Sequence, residues 1–163
     1  ASGPNLKWVS DITYINTQEG WLYLASVLDL YSRMVVGWAM ATHMETALVD
    51  DALRMALSRR HPAPGLIHHS DQGSQYTSFA YQKCLLDHHC LTSMSGVGNC
   101  YDNAAAESFF GTLKTECASA QFADRTQARS AIFEYIEVWY NRQRLHSSLG
   151  YESPMDFELK SRH

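Results

Sequence analysis

Three carboxylates in this chain stand where a carboxylate needs a reason. Asp11 sits in the middle of WVSDITYI, an apolar and β-branched run in which Asp is a disfavoured strand residue. Asp71 ends a second short apolar run, two residues before Gly73, at the carboxyl edge of a strand, where ligand sites of α/β sheets gather. Glu107 lies within GNCYDNAAAESFFGTLKTE, residues 98–116. If the two strands are neighbours and the segment carrying Glu107 packs across their ends, all three carboxylates converge. Converging carboxylates repel one another unless a cation lies between them. Oxygen-only ligation suits Mg²⁺ or Mn²⁺, whereas zinc would draw on His or Cys. Two such ions about 3.5–4 Å apart form a clamp for the attacking and leaving oxygens of phosphoryl transfer. Each residue alone also has an ordinary reading, as a hydrogen-bonded strand Asp, a turn cap and a solvated Glu. Asp29, Asp102 and Glu116 are rivals, but each stands where a cap or a solvated charge is usual.

The elements that must position these groups follow from the pattern. Residues 98–116 pass from turn formers into alanines, so the sequence predicts a helix with Asp102 or Asn103 as N-cap. On a 3.6-residue period, Ala106, Phe109, Phe110, Leu113 and Cys117 form a stripe for a core. Asn103, Glu107, Gly111 and Lys114 follow one another on a different face. That polar stripe would suit something bulky and anionic lying along the helix; the plainer alternative is a solvated face with an i, i+7 charge pair.

Residues 7–15, 21–28 and 34–40 read as three strands with short links, an antiparallel meander. Residues 45–60 read as a helix with Leu48, Ala52, Met55 and Ala56 on one stripe, stopped by HPAPG at 61–65. A strand at 66–70, a helix at 78–88, a strand at 90–94 and a glycine-containing loop at 95–99 come next. Residues 126–143 predict one long helix with Ala128, Ile132, Tyr135, Ile136 and Trp139 inward, before a tail of loop and short helix. The order βββ-α-β-α-β-α-α implies a single α/β domain around one five-stranded mixed sheet, three strands antiparallel and the later two reached by helical crossovers.

Composition narrows the classes. A chain of 163 residues that is 45% hydrophobic, with four Trp, nine Tyr and six Phe, suits one packed domain and excludes disorder. No apolar run approaches the roughly 18 residues of a membrane span, and residues 1–4 read as a leader foreign to the domain, without signal-peptide character. Four cysteines lack any C-x-x-C spacing, so reduced and mostly buried thiols are expected. A net charge of −4 argues against a stand-alone nucleic-acid binder, but less against an enzyme whose acidic site is offset by divalent cations. Seven of the 13 Lys and Arg residues fall within the last fifty positions, which leaves room for a basic patch there.

Asp71 and Glu107 are separated by 35 residues. This spacing resembles the D,D(35)E signature of retroviral integrases and bacterial insertion-sequence transposases. WVSDITYI, DLYSR, HSDQGSQY, GNCYDNAAAESFFGTLK and YNRQRLHSSLGYESP are similar to strings of the transposases, in the same order, from Trp8 to Pro154. The resemblance implies a ribonuclease H-like fold and a DDE transposase core of residues 5–163, with Asp11, Asp71 and Glu107 as catalytic ligands of two Mg²⁺ (or Mn²⁺) ions. It implies strand cleavage at element ends followed by 3′-OH strand transfer; the alternatives are a ribonuclease H-type nuclease that transfers nothing, or a non-catalytic DNA-binding or assembly domain. In that frame Lys114 and Asn103 would contact DNA, and Arg144 and His146 could approach phosphate. His69 and Gly73 would support Asp71, and Gly111 would leave room for a backbone. The implied partners are DNA, as element ends and target, further copies of the chain, and a separate N-terminal helix-turn-helix region, with no membrane; the implied setting is the bacterial cytoplasm, at the nucleoid when bound. One departure stands out. Gly96 and Val97 occupy loop positions where the family commonly carries basic residues.

Overall fold

The computed structural model of the chain describes residues 1–71, 73–94 and 100–161. Its strands are β1 (Lys7–Thr17), β2 (Gly20–Asp29), β3 (Val35–Ala41), β4 (Ile67–Ser70) and β5 (Leu91–Met94). The helices are α1 (Thr46–Arg60), α2 (Ser74–Thr77), α3 (Phe79–Asp87), α4 (Cys100–Glu116), α5 (Arg125–Glu134) and α6 (Pro154–Lys160). A π-helical turn, Tyr135–Tyr140, continues α5, and a 3₁₀ turn, Ser147–Leu149, precedes α6. The strands form one sheet in the order β3-β2-β1-β4-β5. β1, β2 and β3 pair antiparallel, while β4 and β5 run parallel to β1. This is the expected mixed sheet, with β1 and β4 as neighbours.

Both faces of the sheet are covered, which is why β2 can be apolar on both sides. On one face Val9, Ile15, Leu22 and Leu24 pack with Phe109 and Leu113 of α4 and with Ile132 and Ile136. On the other face Trp8, Ala25 and Val27 pack with Leu48, Leu53 and Ala56 of α1 and with Tyr81 of α3. Removing such a large apolar side chain from water stabilises the fold by about 2 kcal/mol. Gly37 fixes how closely α1 lies on β3, because a Cβ there would come within 2.2 Å of the Ala52 carbonyl oxygen.

Three details depart from the sequence reading. α4 begins at Cys100, so Asp102 and Asn103 lie inside its first turn and neither is its N-cap. The short helix α2 follows Asp71, in a stretch between strand and helix to which the sequence assigns no element. The long C-terminal helix is α-helical only to Glu134; through the π turn Tyr140 is buried and Trp139 is 43% exposed. The expected loop at 95–99, with Gly96 and Val97, lies outside the described residues. Cys84 and Cys90 are buried, Cys117 is half-buried, and all three are free thiols.

Two side-chain clusters lock the periphery. Asn141 accepts from the Val35 N–H at 2.9 Å and donates to the Val35 carbonyl at 2.9 Å, so a side chain stands in for a neighbouring strand at the edge of β3. Arg60 bridges Glu158 of α6, at 2.6 Å, and Asp29, at 3.4 Å. Its Nε also donates to the Asn5 side chain at 2.7 Å, and Glu158 receives the Ser32 hydroxyl. Asp29 is fully buried, and burial raises its pKa despite N–H donors from Asn5 and Tyr31. It is a structural ion.

Candidate active site

Residues 9, 11 and 15 of β1 point to one side, as the pleat requires. Val9 and Ile15 are in the core beneath α4, so Asp11 faces the same helix. Lys7, Trp8 and Val9 align with Ile67, His68 and His69 of β4, a constant offset of 60 residues. Carrying that register on by one pleat sets Asp71 beside Asp11, across a strand spacing of about 4.8 Å. Asp71 is exposed, and its Oδ1 accepts from the Gly73 N–H at 2.7 Å. A Cβ on Gly73 would lie 2.9 Å from that oxygen, so the absence of a side chain permits the close approach. Glu107 projects from α4, exposed, with no hydrogen bond or ion pair among the described residues.

Asp11 senses both other carboxylates. Burial raises the pKa of Asp11, a hydrogen bond from the Ile12 N–H at 2.8 Å opposes this, and the charges of Asp71 and Glu107 raise it further. Among the described residues no three His, Cys, Asp or Glu side chains lie close enough to grip an ion as they stand. The residues nonetheless fit a hard divalent cation: the donors are carboxylates, and one oxygen of Asp11, one of Asp71 and both of Glu107 accept no hydrogen bond among the described residues.

Around this trio the polar stripe of α4 is arranged as its spacing predicts. Asn103 Oδ1 lies 3.2 Å from His69 Nε2, and His69 Nδ1 lies 3.3 Å from Ser93 Oγ, so a buried His ties α4 and β5 behind Asp71. Gly111 has open space where a side chain would be. Lys114 is exposed, with Nζ 5.1 Å from the ring centroid of Tyr14. Tyr14 in turn meets Trp21 edge-on at 4.8 Å, and both rings are about half exposed. Sequence reasoning missed this pair of aromatic rings; the signal was their place on the outward positions of β1 and β2, directly beside the register partners Ile15 and Leu22.

His68 takes the opposite side of β4 from His69. Its Nε2 lies 2.7 Å from both Ser10 Oγ and Tyr81 Oη, and burial lowers its pKa to about 3, so it is neutral. Arg144 and His146 do not join the carboxylates. Arg144 pairs with Glu116 at 2.8 Å, and Glu116 also accepts from Tyr135 and Trp139. The Arg144 hydrogen bonds are the main reason the Glu116 pKa is lowered, so this rival carboxylate is structural too. His146 meets Tyr140 edge-on at 5.1 Å, on a separate cavity beside α4.

Comparison with known proteins identifies the family and the fold. Two family models described as integrase core domain match residues 1–100 and 107–161. The transposase for insertion sequence element IS904 of Lactococcus lactis is 52% identical over 97% of this chain and 63% of its own length. Transposase InsF for insertion sequence IS3A of Escherichia coli is 52% identical over 99% of this chain and 56% of its own length. The chain thus spans about six tenths of these relatives. Among solved structures, the catalytic core domain of BIV integrase superposes with TM-score 0.74 at 17% identity, covering 98% of this chain and 97% of that one. The HTLV-2 integrase catalytic core domain, in a dimeric form in complex with magnesium, gives 0.73 at 16% identity, over 96% and 97%. These likenesses show the ribonuclease H-like fold of an integrase core. The chain belongs to the integrase core domain family.

Proposed function

We propose that this chain is the catalytic core of an insertion-sequence transposase, which cuts one DNA strand at an element end and joins the freed 3′-OH to target DNA. The observation that carries the reading is the approach of Asp11, Asp71 and Glu107 at one edge of the sheet, with Asp11 electrostatically coupled to both partners. The 52% identity to two insertion-sequence transposases supports the same substrate. Asp11, Asp71 and Glu107 would hold two Mg²⁺ or Mn²⁺ ions. When bound, such ions supply Lewis acidity at the scissile phosphate and acidify a coordinated water or 3′-OH.

The chain's own groups then position the reactants. Gly73 fixes one oxygen of Asp71 through its N–H and leaves the other free. His69 and Asn103 brace β4 against α4, which holds the distance between Asp71 and Glu107. Lys114 meets a DNA phosphate near the cleavage point, and Gly111 lets the backbone approach the helix. Residues 5–163 form the core in this reading, and residues 1–4 stand outside it. Recognition of element ends falls to a helix-turn-helix region in a longer protein, strand transfer to an assembly of several copies, and the setting is the bacterial cytoplasm.

The test uses labelled DNA carrying an element end, a plasmid target and Mg²⁺ or Mn²⁺. Cleaved and joined products are expected from the longer protein carrying the wild-type core, and neither from the same protein with Glu107→Gln, whose thermal melt stays intact. Full activity in Glu107→Gln would overturn the assignment of Glu107. Cleavage without joined products would replace the transposase reading by a nuclease.

A further inference from the structure

A cavity of about 550 Å³ opens on the face of α4 adjacent to the stripe that carries Glu107. Ala104, Ser108 and Thr112 form its helical wall, each one residue beyond Asn103, Glu107 and Gly111. The opposite wall comes from the C-terminal segment and from the β2–β3 turn. Tyr140 lines it; the residue is 97% buried, yet its hydroxyl has no hydrogen-bond partner among the described residues. Its ring is held by Phe109 at 4.8 Å and His146 at 5.1 Å, so the hydroxyl's direction is set by packing. His146 Nε2 is likewise buried without a partner.

The charges are arranged for an anion. Arg33 lines the cavity with no acidic partner among the described residues, whereas Arg144 is neutralised by Glu116. Arg33 also holds a left-handed backbone, φ 65°, a conformation non-glycine residues adopt rarely and often at functional sites. Burial keeps His146 neutral, and both arginines reinforce this. The same two arginines counter the rise that burial imposes on the Tyr140 hydroxyl. No Asp or Glu lines the space among the described residues. The buried unpartnered His146 Nε2, the Tyr140 hydroxyl without a partner among the described residues, the Arg33 guanidinium and the hydroxyls of Ser108 and Thr112 thus surround a volume that no acidic side chain lines among the described residues. A buried polar group left unsatisfied is costly, and an oxyanion would take up His146 Nε2 together with the hydroxyl and guanidinium donors that line the cavity.

We propose that this cavity is a phosphodiester subsite, in which Arg33, Tyr140 and His146 receive a backbone phosphate of DNA whose neighbouring nucleotides lie along Glu107 and Lys114. The subsite rests on the DNA-processing reading, because only a strand on α4 presents phosphates to both faces of that helix. It also supplies cationic contact that the loop bearing Gly96 and Val97 lacks by sequence.

The test measures binding of a labelled duplex oligonucleotide by fluorescence anisotropy across a salt series. Arg33→Gly removes the cation and suits the left-handed backbone, and Tyr140→Phe keeps the ring packing, so both variants should fold. Arg33→Gly is expected to weaken binding about 5- to 20-fold and to lower the salt slope by about 0.9, the value for one phosphate contact. Tyr140→Phe should weaken binding by about 3- to 10-fold and leave the slope unchanged, as loss of a neutral donor does. Unchanged affinity in both variants overturns the subsite. So does a result in which inorganic phosphate alone raises the wild-type melting temperature but not that of Arg33→Gly, while DNA binding is unaltered, since the site then takes free phosphate. Glu107→Gln, assayed in parallel, separates the two ideas: its loss of cleavage with normal binding sustains the catalytic reading whatever Arg33→Gly does.

Discussion

Asp11 is held in an environment that disfavours its charge, by burial and by two neighbouring carboxylates. Such an environment costs stability, which the proposed cations would return on binding. Asp11→Asn should therefore raise the melting temperature in metal-free buffer by about 2–4 °C, the shift that 1 kcal/mol makes in a domain of this size. Millimolar Mg²⁺ should stabilise the wild type and leave Asp11→Asn unmoved; calorimetry with and without metal reads both effects. His68 makes a second residue-scale forecast. Its folded pKa of about 3 lies below the unfolded 6.5, so the unfolded chain binds a proton that the folded one refuses. Stability should fall as pH drops below 6.5, by about 1.4 kcal/mol per pH unit for His68 alone at the steepest, with half-buried His146, lowered to about 4, adding a smaller loss of the same sign, while the buried Asp29, whose pKa is raised, acts with opposite sign only nearer the carboxylate range. Urea melts at pH 7.5, 6.5 and 5.5 check it. The carboxylates were legible because each stood against its surroundings, Asp11 among apolar neighbours and Asp71 before a glycine. Which histidine of the 68–69 pair faces α4 was not, since that depends on the parity of β4 relative to β1. Nor was the capture of Arg144 by Glu116, a contact across 28 positions of sequence.

At the scale of elements, close approach and edge closure decide what the fold tolerates. Gly37→Ala would drive a methyl into the Ala52 carbonyl oxygen and the Ala56 backbone of α1, and the neighbours cannot yield without moving the helix. A loss on the order of 3 kcal/mol is expected, read by chemical denaturation. The three-strand meander, α1 and the β4–β5 pair could be read from residue pattern because their periods of 2 and 3.6 are regular. The π turn could not. Ideal helical spacing sends Trp139 inward below Tyr135, but the Asn141 N–H bonds the Ile136 carbonyl, five residues back, and the widened turn buries Tyr140 in its place. That substitution of one aromatic for another also puts Tyr140 on the wall of the cavity beside α4. An irregularity of the backbone has functional reach here.

Across the whole molecule, the group with the most leverage is Arg60. Fully buried Asp29 and nearly buried Glu158 both depend on it for counter-charge. Arg60→Met should cost about 3–5 kcal/mol by urea denaturation, because it strands two acids away from water. Adding Asp29→Asn and Glu158→Gln to it should recover most of the loss, which a simple packing defect would not allow. The same guanidinium also holds Asn5, so one arginine joins the start of β1's lead-in to the final helix α6. Residues 5 and 158 are therefore held by one guanidinium, at a single corner of the fold. Sealing that corner with a short linker and reopening the chain in the exposed 63–65 turn should yield a circular permutant with the same sheet. In mechanical terms, tension applied between residues 5 and 158 would load the Arg60 clasp, which grips both, before it parted the sheet.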